Sequence, residues 1–460
     1  MAAFPGFRIF GFGFDLDLFF VIWFFSANNY LCLKLLKMLQ VNIIRQDVAR
    51  VKERLAVKQF SDPGLVDKII ALDDERKKLQ SDFENLQSKV NSNSKTIGQL
   101  IAKGQNDEAE NAKKTVAGYK LQISDLNEKL ADTEKQLMDE LVKLPNLPSD
   151  KVPAGKTPED NVIVREGGIK PQLSENAVPH WDLIKRYNII DFETGAKITG
   201  SGFPLYKGQG AKLQRTLIQY FLDYNTAAGY TEYLPPFMVN EASAYGTGQL
   251  PDKEGQMYYM PADNFYMIPT SEVPVTNIYR DEIIKEENLP VKMTAYSPCF
   301  RREAGSFGKD VRGLNRLHQF EKVEIVQLTH PDKSYDVLEE MVVHVEKLLG
   351  TLNLPYRILK LCGGDMGFTS ALTYDFEVYS AAQDRWLEVS SVSNFEAYQA
   401  NRAKIRFKDQ NGKNQLLHTL NGSSLALPRI VACLLENNQQ ENHIALPEVL
   451  HKYFGAKIIV

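Results

Sequence analysis

The sequence is short of cysteine, of net charge and of long apolar runs, and each shortage closes off a class of protein. Its four cysteines, Cys32, Cys299, Cys362 and Cys433, lie far apart, and no C-x-x-C pair occurs among the 460 residues. That spacing builds neither a zinc ribbon nor a disulfide framework, so buried apolar thiols in a reducing cytosol are expected. The 54 Lys and Arg residues nearly balance 58 Asp and Glu, for a formal net charge of −4. Blanket neutralisation of nucleic acid is thereby excluded, though a local basic surface is not. The sequence holds no G-x-G-x-x-G and no complete G-x-x-x-x-G-K-[ST] loop, and no βαβ rhythm repeats, which argues against a Rossmann or P-loop nucleotide site. Its longest apolar run near the start, Leu18–Phe25, is eight residues, whereas a membrane span needs about 20.

That run sits in an unusual leader. Residues 1–37 hold nine of the 24 Phe, five charged residues and no Glu. Asp15 and Asp17 stand just before the run and only Arg8 precedes them, so neither the cationic start nor the small-residue cleavage site of a signal peptide is clear. The rest is ordinary: 43% hydrophobic and 24% charged residues fit a globular protein of two or three domains.

What is present begins with two heptad seams. Leu65, Ile69, Leu72, Leu79, Phe83, Leu86, Val90, Ile97 and Leu100 recur in steps of four and three, with Arg76 and Asn93 at the two remaining seam positions. A second seam runs Ala109, Ala112, Val116, Tyr119, Ile123, Leu126, Leu130, Thr133, Leu137, Leu141, Leu144. Between them Lys103-Gly-Gln-Asn-Asp107 reads as a glycine-centred turn with Asp107 as helix N-cap. The spacing predicts an antiparallel two-helix hairpin about 54 Å long at 1.5 Å per residue. Periodicity alone leaves two uses open: an oligomerisation device or spacer, and a rigid arm reaching a large ligand.

Four prolines between Leu144 and Pro158 break the helix and mark a linker, placed at 149–164. Beyond it, Ala211–Tyr224, Ser334–Leu352 and Ser424–Glu436 read as helices. Phe265–Pro269, Lys322–Leu328, Thr373–Tyr379 and Trp386–Val389 read as strands. The expected class is α+β, helices around a mainly antiparallel sheet.

Three polar clusters could carry chemistry. Between Cys299 and Glu324, two strand-like pieces flank a loop with Gly305, Gly308 and Gly313, and Arg301, Arg302, Lys309, Arg312 and Arg316 crowd one hairpin. Guanidinium forks in that density suit phosphate or carboxylate recognition, although a solvated cationic hairpin has the same composition. Glu388-Val-Ser-Ser391 offers oxygen ligands to a divalent cation. Asn421-Gly-Ser-Ser-Leu-Ala-Leu-Pro-Arg429 puts Arg429 in the first turn of an apolar helix.

Together with the hairpin, these strings resemble the seryl-tRNA synthetases, class II aminoacyl-tRNA synthetases of the bacterial type. The resemblance runs from Met38-Leu-Gln-Val-Asn to Val460. It rests on Gly246-Thr-Gly-Gln-Leu-Pro251, Thr270-Ser-Glu272, the Arg301–Glu324 hairpin with His318-Gln-Phe-Glu-Lys-Val-Glu324, and Ser393-Asn-Phe395. It implies a class II antiparallel sheet behind a coiled-coil arm. It also implies that serine is activated by ATP and passed to the 3′ end of serine tRNA, with selenocysteine tRNA as a further substrate.

Residue by residue, the resemblance makes Arg301 and Arg429 catalytic, Arg301 on the α-phosphate. ATP would be bound by Arg301, Arg302, Glu303, Arg316, Phe320, Glu388, Val389, Ser390, Ser391 and Arg429, with Phe320 stacked on adenine and Glu303 on its amino group. Glu388 and Ser391 would hold Mg²⁺, with no zinc. Thr270, Ser271, Glu272, Glu324 and Ser423 would line the serine pocket. Ser271, Arg302, Ser424 and Pro428 depart from the family's usual small residues.

The resemblance further implies tRNA contacts by arm lysines such as Lys89, Lys95, Lys113 and Lys114, and a cytoplasmic homodimer joined near Leu234-Pro-Pro-Phe237, off the membrane. Residues 38–148 would form the tRNA-binding domain and 165–460 the catalytic one, with 1–37 an upstream extension from a misassigned start codon. A relative that loads an amino acid onto a carrier protein is the competing reading; it would have no use for so long an arm.

Overall fold

The computed structural model describes residues 41–303 and 312–460. The leader with Cys32, the Met38 start and Lys309 lie outside the described residues.

Two short helices, α1 (Val41–Gln46) and α2 (Val48–Val57), precede the long pair α3 (Gly64–Ala102) and α4 (Asn106–Leu141). Every seam position from Leu65 to Leu144 is buried or half-buried, Arg76 and Asn93 included, whereas Leu121, off the seam, is 70% exposed. The heptads thus fold back on one another as a coiled-coil hairpin. Gly104, at φ 75°, makes the turn. The cap differs from expectation: α4 begins at Asn106 with Gln105 as N-cap, so Asp107 and Glu108 fall in the first turn, where negative charge favours the helix dipole.

The base of the hairpin packs against α1 and α2 through Ile44, Val51, Leu55, Ile69, Leu137, Leu141 and Leu144. Burial there costs Asp73 its hydration, yet hydrogen bonds from Lys77, Arg76 and Arg45 hold its carboxyl down at about 2. The proline-rich stretch after α4 is an ordered strap. Asn146 and Ser149 donate backbone hydrogen bonds to Phe368 and Ala371, and Val152 enters the main core.

The sheet that follows has eight strands: β1 (Val162–Gly167), β2 (Thr231–Tyr233), β3 (Val291–Phe300), β4 (Gln319–Thr329), β5 (Tyr356–Lys360), β6 (Leu372–Ser380), β7 (Arg385–Asn394) and β8 (His418–Ala426). Their order is β1-β5-β6-β7-β8-β4-β3-β2, antiparallel except where β2 runs parallel to β3. The helices that position the site are α5 (His180–Arg186), α6 (Gln209–Ala227), α7 (Glu272–Thr276), α8 (Ser334–Thr351), α9 (Tyr398–Ala403) and α10 (Leu427–Asn437).

The main core joins Phe221 of α6, Val342 and Leu349 of α8, and Ile430 and Leu434 of α10 to Val323, Ile358, Phe376 and Val392 from the strands. On the opposite face a smaller cluster joins Met293, Ala295, Val326 and Leu328 to Ala400 and Ala403 of α9. Strand residues alternate between faces, so β4 sends Val323 and Ile325 into the main core and Phe320, Lys322 and Glu324 the other way. One element departs from the sequence reading. Ser424–Ala426 finish β8, where Ala426 pairs with Lys322, and α10 starts only at Leu427. Pro428, lacking an N–H, fits only that first turn.

Candidate active site

A cavity of about 560 Å³ opens on the face carrying Phe320, Lys322 and Glu324. Thirteen of the fifteen residues expected in the site line it: Thr270, Glu272, Arg301, Glu303, Arg316, Phe320, Glu324, Glu388, Val389, Ser390, Ser391, Ser423 and Arg429.

Its cationic side is built from three separate chain segments. Arg301, at the end of β3, lies with its guanidinium 5.2 Å from the Phe320 ring centre, and its Nε donates to the Pro269 carbonyl at 3.3 Å. Arg316 donates to Glu303 at 2.8 Å. Arg429, in the first turn of α10, donates from Nε to Asn315 O at 3.1 Å and from Nη1 to Glu388 O at 2.6 Å. Arg301 and Arg429, each anchored on backbone carbonyls, offer planar guanidinium forks that suit an incoming oxyanion.

Glu388 and Ser391 are three residues apart and should face opposite ways. A bulge corrects this: Phe376 pairs with Ser390 and Glu377 with Glu388, leaving Val389 as the extra residue. Val392 then turns to the core, Val389 at the bulge borders both core and cavity, and Glu388 and Ser391 both line the cavity. Beside them on β6, Asp375 has a buried Oδ1 with no hydrogen-bond partner. Burial, with the Glu388 carboxylate next, pushes its carboxyl well above the usual range.

The acidic side is more enclosed. Glu324 accepts from Thr270 Oγ1 at 3.1 Å and pairs with Lys322 Nζ at 2.5 Å. Glu272, at the start of α7, accepts from Gln399 Nε2 at 2.6 Å. Burial pushes its carboxyl up to about 7; Glu324 adds to the rise, and the Gln399 hydrogen bond opposes it.

Ser271 and Arg302 do not line the cavity. Ser271 turns behind the wall and donates to Ser297 Oγ at 2.6 Å. Arg302 alternates away from Arg301 into solvent, its N–H bonded to Gln256 O at 2.9 Å. Lys322, Asp375 and Asn421, which do line it, were not anticipated. Lys322 was legible, since it lies midway between Phe320 and Glu324 on a period-two strand. Asn421 opens the third polar cluster but has no role there from sequence alone, and Asp375 carried no local signal; pairing of Asp375 with Ser391 and of Asn421 with Val326 brings them in. Among the described residues no group of three or more His, Cys, Asp or Glu is disposed to hold a metal ion, and no helix is long and apolar enough to cross a membrane.

Comparison with known proteins agrees with this geometry. The model for the seryl-tRNA synthetase N-terminal domain matches residues 38–148, and that for the class II tRNA synthetase core domain (G, H, P, S and T) matches residues 258–438. The serine–tRNA ligase of Salinibacter ruber is 50% identical over 420 residues, 91% of this chain and 98% of its own length. Among solved structures, seryl-tRNA synthetase from Pyrococcus horikoshii complexed with ATP superposes with a TM-score of 0.86 at 32% identity, covering 92% of this chain and 99% of that one. The cytoplasmic serine–tRNA ligase from Naegleria fowleri in complex with AMP gives 0.82 at 26% identity, covering 92% and 98%. These matches lend no support to carrier-protein loading. Arm and class II sheet therefore converge with the relatives: the chain belongs to the seryl-tRNA synthetase family and is a ligase that joins serine to tRNA.

Proposed function

We propose that the cavity binds ATP along its arginine side and L-serine against Glu272 and Glu324, and that seryl-adenylate is the intermediate. The grouping of side chains within one cavity carries this reading: three guanidinium groups gather with Glu303 and Glu388, and two enclosed carboxylates, Glu272 and the Lys322-paired Glu324, form another group. The first set suits phosphates, the second an ammonium and a hydroxyl. The serine carboxylate is ionised at neutral pH, so its attack on the α-phosphorus needs no general base, and orientation with charge stabilisation does the rest. Arg301 stabilises the developing charge on the α-phosphate. Phe320 supports adenine, Glu303 accepts from its amino group, and Arg316 and Arg429 take the outer phosphates. Thr270, Glu324 and Ser423 supply hydrogen bonds that reject alanine, whose missing hydroxyl would leave them unpaired.

Mg²⁺ fits the chemistry beside the phosphates. Glu388 and Ser391 would hold it, with the unpartnered Oδ1 of Asp375 on the adjoining strand completing an oxygen-rich corner. When bound, it would neutralise phosphate charge.

The hairpin is proposed to grip serine tRNA by backbone and shape. Residues 38–148 would thus bind RNA and 165–460 catalyse, with 149–164 between them; Val162–Val164 already belong to edge strand β1. A homodimer is supported by the exposed apolar surface near Leu234 (77%) and Met238 (49%), and a cytoplasmic location is part of the same proposal. Serine-dependent ATP–pyrophosphate exchange tests the reading. Robust exchange with serine is expected; none, or better exchange with threonine or alanine, would sink it.

A further inference from the structure

Lys58 and Asn146 stand at the two roots of the arm, six residues before α3 and five after α4. Neither lines the cavity, yet both hydrogen-bond to its wall. Lys58 is 9% exposed. Its ammonium donates to Ser370 O at 2.8 Å and to Asn146 O and Phe368 O at 3.1 Å each. Three donors meet three carbonyls with no carboxylate nearby among the described residues, and burial pulls the amine's pKa down to about 7. Asn146 Nδ2 donates to Thr369 O at 2.9 Å and Phe395 O at 2.8 Å. Thr369, Ser370 and Phe395 all line the cavity.

The approach is close. A Cβ on Gly363 would fall 1.9 Å from the carbonyl oxygen of Val57, the residue before Lys58, so only glycine lets this wall segment meet the arm root. The chain of contacts continues inward. Phe395 N–H donates to Thr419 O at 3.0 Å. The Thr419 hydroxyl donates to Gln399 Oε1 at 2.7 Å, and Gln399 holds Glu272.

We propose that Lys58 and Asn146 are positioning residues that fix the wall of the serine pocket from the roots of the arm, making the arm's base part of the amino-acid site. This rests on the serine assignment of Glu272 and Glu324. A merely structural latch would lower the melting temperature and leave substrate affinities alone. A positioning latch raises KM for serine selectively, because the wall it holds leads to Glu272 and not to the arginine side.

The test is ATP–pyrophosphate exchange with Lys58→Met and Asn146→Asp in the full chain, measuring KM for serine and for ATP. Asn146→Asp is isosteric and keeps the acceptor for Leu147 N–H while losing both donors to the wall. We expect serine KM to rise about tenfold in each, with ATP KM within about twofold of wild type. We expect the double variant to fall short of the product of the two single effects, because the residues share one wall. Serine KM within about twofold of wild type in folded variants, or an equal rise for both substrates, overturns the proposal. Should Lys58→Met fail to fold, Asn146→Asp decides alone. Glu272→Gln is the separate control: if it leaves serine KM unchanged, the pocket assignment fails, whatever the latch does.

Discussion

Gln399 donates to Glu272 across the floor of the acidic side at 2.6 Å while its own carbonyl accepts from Thr419 Oγ1 at 2.7 Å. An amide with both ends engaged cannot rotate, so the Glu272 carboxylate is held in one orientation. Gln399→Leu leaves that carboxylate buried with only the Asn421 side chain still donating to it, and should raise serine KM by about tenfold, as steady-state exchange kinetics would show.

The pH profile follows from the same carboxyl. Glu272 titrates near 7 because burial disfavours its charge. Below that pH it is neutral and cannot pair with an ammonium; above it, it can. kcat/KM for serine should therefore climb with pH and level off above about 7 to 8, and Glu272→Gln should flatten this limb. A wild-type profile flat from pH 6 to 8 would contradict the assignment.

Arg301→Ala removes the guanidinium between Pro269 O and Phe320. Exchange should fall by at least about 10²–10³-fold with an unchanged melting curve, since neither contact anchors the core. A fall below tenfold would mean another group carries the phosphate.

Shortening the arm separates its two possible uses. Deleting residues 80–130 and rejoining the helices by a tight turn keeps the base cluster of Ile44, Ile69, Leu137 and Leu141 together with Lys58 and Asn146. Exchange should survive within about twofold while serine-tRNA charging is lost. Equal loss of both activities would make the arm a structural element.

A buried brace sets the loop that carries Arg316. His180 Nε2 accepts from Leu314 N–H at 2.9 Å, so its Nδ1 carries the proton and donates to Glu436 at 2.7 Å. His180→Ala leaves the Leu314 N–H without its acceptor and removes one donor from Glu436, which keeps the residue-180 N–H, Ser380 and Gln383; it should cost about 1–3 kcal/mol in denaturant unfolding. Because Arg429 lies two turns before Glu436 on α10, KM for ATP should rise as well.

By itself the sequence determined what repeats locally. Two seams at heptad spacing specify a hairpin because only one helical face can be buried, and polar Arg76 and Asn93 did not hide the period. Strand alternation likewise assigned Phe320 and Glu324 to one face, and would have given Lys322. Other features needed the tertiary structure. Ser424–Ala426 read as helix because they lead into an apolar helical run, and only pairing with β4 makes them strand. Glu388 and Ser391 share a face only through a one-residue bulge against β6. Asp375 and the latch of Lys58 and Asn146 come from contacts between residues tens to hundreds of positions apart, for which a chain read in order carries no period.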